Sequence, residues 1–234
     1  MVWERGLNQS PLERALALLA AACPERDSGA VAAWPIGQRD GCLMQLREWM
    51  FGPRLSSTAN CPECGQRVEW ESRISDFRRL APEAPPSATF DFNAGGCTLR
   101  VRLPNSRDMA AVLHEASEAA PQALLTRCIV SARQGDQPCE IPDLPPAVLS
   151  ELAQRMEALD PQADIRIALT CPQCGHGWNA HFDITGYLWT EIDQWAQQTL
   201  NAVHRLARAY GWSERDILEL SPVRRQLYLG LIDS

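Results

Sequence analysis

The stretch CPQCGHGWNAHFDITGY, residues 171–187, decides the fold because it opens with two cysteines separated by two residues. Two thiolates at this spacing can reach one metal ion. Gly175 follows the second cysteine, and glycine allows the positive φ of a tight turn whose backbone N–H groups can hydrogen-bond the sulfur atoms. The stretch therefore predicts half of a metal site, a Cys-Pro-x-Cys-Gly knuckle followed by an extended strand.

The other half is the stretch CPECGQRVEWESRISDF, residues 61–77, which aligns with the first stretch without gaps. Cys61 aligns with Cys171 and Cys64 with Cys174, and hydrophobic positions continue to match to the end of both stretches. The chain thus contains an internal repeat. Two such knuckles supply the four sulfur ligands of a closed tetrahedral site.

We expect one structural zinc ion, held by Cys61, Cys64, Cys171 and Cys174. Two alternatives are a redox dithiol and two unrelated turns. A redox Cys-x-x-Cys usually lies alone on a thioredoxin-like βαβ unit, and this sequence shows no such pattern. Four thiolates leave no coordination position for water, so a catalytic zinc is not expected. His176 is interpreted as a surface residue or a support for the ligands.

The remaining cysteines show no pairing at metal spacing and are expected to behave as small buried hydrophobic residues. They are Cys23, Cys42, Cys97, Cys128 and Cys139. Nine cysteines in 234 residues are too sparse for a secreted disulfide scaffold. The sequence therefore favours a reducing compartment, in which paired cysteines bind metal.

Composition places the chain among ordinary soluble globular proteins, with 45% hydrophobic and 22% charged residues. All 22 basic residues are arginine, yet the net charge is −7, which gives no global electrostatic reason to bind nucleic acid. The most apolar run, residues 15–23, is far shorter than the about 20 residues that span a bilayer. No secretory signal opens the sequence, so we expect a cytoplasmic protein without membrane contact.

Residues 65–170 separate the two knuckles, whereas a simple zinc ribbon has about 15–20 residues there. An entire folded insertion must therefore leave the ribbon and return to it. A hairpin is predicted in residues 89–103, around the turn Asn-Ala-Gly-Gly, after a proline-rich break at residues 81–88. Helices are predicted in residues 105–116 and 145–159, and a strand at 163–170 leads into the second knuckle.

The two ends of the chain are predicted to be helical. Ser10 and Glu13 form a capping box before one helix, and a second helix ends near Gly52. A short polar linker, SSTAN at residues 56–60, is expected before the first knuckle. Residues 188–210 predict a long amphipathic helix, and two short helices are expected after it.

The predicted fold class is α+β, with a zinc-ribbon core, a large α+β insertion and flanking helices. The expected segments are the N-terminal helical segment 1–56, the first knuckle half 57–80, the insertion 81–164, the second knuckle half 165–187 and the C-terminal helical segment 188–234.

The tail VHRLARAYGWSERDILELSPVRRQLYL, residues 203–229, resembles the signature of the T-even-type phage baseplate hub assembly proteins. Relatives of that family also occur in phage-like contractile injection systems. Weaker similarities are LREWMFGPRL at 46–55, LRVRLPNSRD at 99–108 and ADIRIALTCPQCGHGW at 163–178. The resemblance implies a non-enzymatic role, as a hub assembly chaperone or a structural protein of the baseplate.

The resemblance also implies the partners and the place of action. The partners would be baseplate hub or spike subunits, with no nucleic acid, membrane or small-molecule substrate. The protein would act in the bacterial cytoplasm during assembly, with the finished particle as a further location. Candidate contact residues in the tail are those of the types favoured at interfaces: Tyr210, Trp212, Arg224, Arg225 and Tyr228.

A different class of function is the main alternative. The close spacing of the short tail helices resembles a helix-turn-helix, so a nucleic-acid-binding zinc-ribbon or helix-turn-helix regulator would also fit. Acidic residues accompany the arginines there and dilute the basic surface that such binding needs. No arrangement of side chains in the sequence points to an enzyme.

Overall fold

The computed structural model of the protein describes residues 2–77, 89–116, 118–135, 137–141 and 144–232. The helices are α1 (Val2–Gly6), α2 (Pro11–Ala22), α3 (Ser28–Ala32), α4 (Ile36–Phe51), α5 (Ile74–Phe77), α6 (Ser106–Val112), α7 (Ala120–Cys128), α8 (Pro146–Leu159), α9 (Ile184–Tyr210), α10 (Glu214–Glu219) and α11 (Pro222–Ile232). The strands are β1 (Arg54–Asn60), β2 (Arg67–Arg73), β3 (Phe90–Ala94), β4 (Cys97–Val101), β5 (Ile129–Gln134), β6 (Gln137–Pro138), β7 (Arg166–Thr170) and β8 (Gly177–His181). This mixture confirms the predicted α+β class. The proline-rich break predicted at 81–88 lies outside the described residues.

The chain divides into two compact units. One contains Gln9–Thr185, and the other combines Met1–Asn8 with Gly186–Ser234. The described residues of the larger unit form three antiparallel sheets, which are the pair β1–β2, the four strands in the order β3-β4-β5-β6, and the pair β7–β8. Both knuckles belong to this unit.

The four-stranded sheet is the centre of the insertion. Its first two strands form the hairpin predicted in residues 89–103, in which Phe90 pairs with Val101 and Ala94 with Cys97. Gly95 and Gly96 form the turn with φ of +55° and +76°, a conformation that favours glycine.

Helix α8, which the hydrophobic pattern of residues 145–159 predicts, covers one face of this sheet. Val148, Leu152 and Met156 recur one turn apart and are buried in the same cluster as the sheet residues Leu99 and Val101. Burying a side chain of this kind contributes about 1.5–3 kcal/mol to stability. The insertion therefore has its own hydrophobic core.

The linker predicted at residues 56–60 is wrong, because these residues form most of strand β1. Ser, Thr and Asn favour turns in isolation. Here the backbone of Arg54–Asn60 pairs along its whole length with Arg67–Arg73, and Leu55 is fully buried at the start of the strand. Sheet pairing and burial thus override the local preference of the polar residues.

The smaller unit is organised around the second half of the long helix α9. Leu206 of α9, Ile217 of α10 and Leu229 of α11 form its buried cluster. Helix α9 ends at Gly211, which has φ of +69° and donates its N–H to the Ala207 carbonyl at 2.8 Å. Ser213 and Asp216 then form a capping box at the start of α10.

Within the described ranges, no helix combines the length and the apolar character that crossing a membrane requires.

Helix α4 contains two glycines whose replacement by alanine should have opposite effects. A Cβ atom at Gly37 would lie 1.8 Å from Asp160 Oδ1 and 2.9 Å from Gln162 Cβ, while among the described residues one at Gly41 would meet only Gln162 Cγ at 4.0 Å. The Asp160 carboxylate is held in place because it accepts the Gly37 N–H at 2.9 Å.

We expect Gly37→Ala to lower the free energy of unfolding by about 1–3 kcal/mol, the usual cost of overpacking. Gly41→Ala is the matched control and should raise that free energy by up to about 1 kcal/mol, because alanine is the better helix former. Urea unfolding of the two variants and the parent chain measures both effects. Equal effects of the two substitutions would contradict the contact at Gly37.

Candidate metal centre

Each knuckle is the turn of a two-stranded antiparallel hairpin. In the first hairpin, the Cys61 N–H donates to the Gln66 carbonyl at 2.8 Å, and the Gly65 N–H donates to the Cys61 carbonyl at 2.9 Å. Strands β1 and β2 enter and leave this turn in full register from Arg54–Arg73 to Asn60–Arg67. The strands thus fix both ends of the loop that carries the first two cysteines.

The second hairpin repeats the same hydrogen bonds. The Cys171 N–H donates to the His176 carbonyl at 2.9 Å, and the Gly175 N–H donates to the Cys171 carbonyl at 2.9 Å. Gly65 and Gly175 both have φ of +74°, and in the part of the chain that the structure describes a Cβ atom at either would meet nothing within 4 Å. Glycine is therefore favoured at these two positions by the positive φ of the backbone, and not by a lack of space for a side chain.

The two halves meet through aromatic and sulfur contacts. The rings of Phe77, at the end of α5, and Phe182, after β8, stack with centroids 4.9 Å apart. Cys61 Sγ lies 3.7 Å from Cys174 Sγ, and Cys64 Sγ lies 3.6 Å from Cys171 Sγ. Each of these two sulfur contacts thus joins one cysteine of the first knuckle to one cysteine of the second, although the knuckles are more than a hundred residues apart in sequence.

All four sulfur atoms lie within 4.8 Å of one another. A tetrahedral ion with metal–sulfur bonds of about 2.3 Å holds its sulfur ligands about 3.8 Å apart. The Cys61–Cys174 and Cys64–Cys171 sulfur distances of 3.7 and 3.6 Å match this spacing. Four soft sulfur donors in such an arrangement are compatible with a metal site such as that of zinc.

The cluster is buried on one side and open on the other. Cys61 and Cys171, the first cysteine of each knuckle, are buried, with relative exposures of 2% and 1%. Cys64 and Cys174, the second cysteines, are exposed. Each knuckle therefore contributes one interior and one surface sulfur, which is the arrangement expected of two equivalent halves around one centre.

The thiols of the cluster compete for protons when no cation is present. The Cys174 backbone N–H hydrogen-bonds the Cys171 sulfur and lowers the pKa of that thiol to about 7. The His176 backbone N–H lowers the pKa of Cys174, but the loss of hydration around its sulfur and the neighbouring Cys64, Cys171 and Cys61 thiols outweigh it and raise the pKa to about 12. Ionisation of one thiol thus makes ionisation of its neighbours less favourable. A bound cation removes this repulsion because it stabilises all of the thiolates.

The two histidines near the second knuckle make other contacts. The ring of His176 stacks on Trp178 with centroids 6.3 Å apart, and His181 Nε2 lies 3.5 Å from Asp164 Oδ1. Neither belongs to the group of side chains that could share an ion among the described residues. His176 is half-buried, so its placement is compatible both with a surface residue and with a support for the ligands.

The sequence pattern captured the cysteines and the strand that leads into the second knuckle, but it missed β1, the strand that leads into the first knuckle. Leu55 is the second residue of β1 and Ile165 immediately precedes β7, and both are buried. These two residues are separated by the same number of positions as Cys61 and Cys171. Extending the repeat towards the N-terminus would therefore have shown that each knuckle joins two strands.

The predicted contact residues of the tail occupy two kinds of position. Three of them form an aromatic cluster: Trp212 stacks on Tyr210 at 4.7 Å between ring centroids and meets Tyr228 edge-on at 4.9 Å. Trp212 and Tyr228 also pack against the buried cluster of the smaller unit. Arg224 is exposed and Arg225 is half-buried on α11.

The five remaining cysteines lie apart from this centre. Cys97 and Cys128 are buried in the core of the insertion, as expected of small hydrophobic residues. Cys23, Cys42 and Cys139 are half-buried. Burial, the largest cause, raises the pKa of Cys128 to about 12, so this thiol stays protonated near neutral pH.

Comparison with known proteins identifies one matching protein family. The chain matches a protein family described as T4 bacteriophage base plate protein over residues 6–187. No curated protein and no solved structure matches the chain. The matched region contains both knuckles and the sheet between them, whereas the tail pattern at residues 203–229 lies beyond it.

Proposed function

We propose a function from the premise that this chain belongs to the T4 bacteriophage base plate protein family. It is a non-enzymatic protein that builds the baseplate of a contractile phage tail or of a phage-like injection system. The family match over residues 6–187 carries this proposal. The finer role is that of an assembly chaperone for hub or spike subunits, or of a structural protein of the baseplate. Assembly would take place in the bacterial cytoplasm.

In this proposal Cys61, Cys64, Cys171 and Cys174 hold one structural zinc ion. Zinc bound by four thiolates stabilises a fold and has no coordination position left for a substrate. The sulfur spacing and the absence of a fifth donor in the cluster support this role among the described residues. The ion would join the two ends of the segment 65–170 and so hold the insertion in place.

The tail is the proposed contact with the hub or spike subunit. Tyr210 and the exposed Arg224 offer the side chains for it, and the aromatic cluster gives the surface a fixed shape. Aromatic residues and arginine are the types that most often dominate binding energy at protein interfaces. Trp212 and Tyr228, which also pack inward, would position this surface.

The double variant Trp212→Ala/Arg225→Ala tests the contact. We expect co-purification of hub or spike subunits from producing cells, and the yield of finished particles, to fall by about tenfold or more. The matched control is Trp49→Ala/Arg133→Ala, which removes an exposed tryptophan and an exposed arginine outside the tail and should leave both quantities unchanged.

Trp212 also supports the tail, so folding needs a separate control. Arg224→Glu/Arg225→Glu reverses two charges without removing the tryptophan and should reduce co-purification to the same extent. Circular dichroism checks that each variant keeps the helical content of the parent. Unchanged subunit binding and particle yield in both tail variants would exclude this surface as the contact.

A further inference from the structure

Helix α11 exposes a line of large hydrophobic side chains. Val223, Leu227 and Leu231 are 69%, 67% and 65% exposed. They are separated by four residues each and therefore lie on the same face of the helix, one turn apart. The other face of α11 contains Leu229, which is buried with Leu206 and Ile217. Single exposed hydrophobic residues are common, but a continuous line of them marks a binding surface.

Gly230 lies beside this line in the last part of the helix. A Cβ atom at Gly230 would meet no atom of the described residues within 4 Å, and its φ is not in the left-handed region. Glycine is less favourable than alanine in a helix interior. Neither the space nor the backbone of the described chain requires glycine here, whereas a helix that approaches closely from outside would require it.

The charges on α11 have a direction. Arg224 is exposed in the first turn, at the margin of the hydrophobic line. The last turn contains no basic residue, and the first turn contains no acidic one. The end of a helix carries partial negative charge on its free carbonyl groups and attracts basic side chains. When two copies of α11 lie antiparallel, the basic first turn of each helix therefore lies beside the partially negative last turn of the other.

We propose that the exposed face of α11 binds α11 of a second copy of this chain, antiparallel and with Leu227 on the two-fold axis. Leu227 then contacts Leu227 of the other copy, and Val223 contacts Leu231 of that copy at each end. Gly230 lies opposite Val223 of the other copy and allows close approach. Arg224 lies beside the last turn of the opposite helix. The surface is thus self-complementary, as a two-fold interface must be.

The size of the surface sets the expected strength. One helix per copy buries less than the about 1,200 Å² at which specific, stable interfaces begin. The dimer should therefore be weak in dilute solution and form in a concentration-dependent manner, with a dissociation constant in the micromolar range. Inside an assembly that holds several copies close together, the same contact would be much more populated.

Sedimentation velocity of the full zinc-loaded chain, from about 1 to several hundred micromolar, tests the proposal. We expect the sedimentation coefficient to rise from that of a monomer to that of a dimer. Leu227→Glu should abolish the rise, because two carboxylates would then face each other in a hydrophobic contact. Leu113→Glu, at a residue that is 58% exposed in the larger unit, is the matched control and should dimerise like the parent.

Cysteine cross-linking tests the orientation. Under mild oxidation Leu227→Cys should form a covalent dimer with itself. Val223→Cys and Leu231→Cys should each cross-link poorly alone but efficiently when the two variants are mixed. The parent chain controls for its native thiols.

A parent chain that stays monomeric at the highest concentration would overturn the proposal. Dimerisation that persists in Leu227→Glu would also overturn it. Efficient cross-linking of Val223→Cys with itself would exclude the antiparallel arrangement. None of these results depends on a baseplate partner, so failure of this proposal and failure of the proposed function remain distinguishable.

Discussion

Cys171→Ser is expected to abolish zinc binding and to lower the free energy of unfolding by on the order of 5 kcal/mol or more. Serine lacks the thiolate that binds zinc, and the remaining Cys61, Cys64 and Cys174 would leave the centre incomplete. The two hairpins would then be joined only by their protein contacts, including the stacked rings of Phe77 and Phe182.

The measurement combines metal analysis after gel filtration with urea unfolding of the same preparations. Cys23→Ser is the matched control, because Cys23 is half-buried and lies outside the cluster. It should keep one zinc per chain and change the free energy of unfolding by less than about 1 kcal/mol. A metal-free parent chain with full stability would contradict the structural role of the ion.

Asp108→Asn is expected to have the second largest effect, a loss of about 3 kcal/mol in the free energy of unfolding. The side chain of Asp108 is almost completely buried at the start of α6. Its carboxylate accepts a hydrogen bond from Arg102 Nη2 at 2.8 Å and lies 3.4 Å from Arg127 Nε. It also accepts the backbone N–H of Asn105 at 3.1 Å, which caps the helix.

Asparagine has nearly the same shape but leaves both arginines without their buried counter-charge. Asp91→Asn is the matched control, because Asp91 and Arg100 form an exposed pair 3.8 Å apart. Exposed pairs contribute about 0–1 kcal/mol. Urea unfolding of both variants compares the two aspartates, and equal losses would contradict the importance of burial at Asp108.

The contribution of Asp108 to the free energy of unfolding should decrease as the pH falls. Burial alone would raise the pKa of Asp108, but the hydrogen bonds from Arg102 and Asn105 and the charges of Arg102 and Arg127 lower it. A carboxyl whose pKa is lowered by folding stabilises the protein above its unfolded pKa of about 3.9. The difference between the parent and Asp108→Asn should therefore be constant from about pH 5 to 8 and shrink as the pH falls below about 4.

The elements that the sequence predicted correctly are those fixed by local patterns. The Ser10–Glu13 capping box, the hairpin around Gly95 and the buried face of α8 each depend on residues a few positions apart. The four cysteines could also be expected to meet, because each knuckle determines its own geometry and one tetrahedral ion needs two knuckles.

The features that the sequence did not predict depend on contacts between distant residues. Strand β1 consists largely of Ser, Thr, Ala and Asn, and only its pairing with β2 makes it extended. Asp108 appeared in the sequence merely as part of a helix start. Its role depends on Arg127, which reaches it from the end of α7. Hydrophobic periodicity carries no information about such pairs.

The most direct test of the baseplate role is the abundance of this chain, by quantitative mass spectrometry, in partial baseplate assemblies and in finished particles from the producing cells. The account predicts that the chain co-purifies with the partial assemblies in a fixed ratio to hub or spike subunits. Its loss from finished particles would identify a chaperone, and its retention would identify a structural component. Absence from both the partial assemblies and the finished particles would contradict the account.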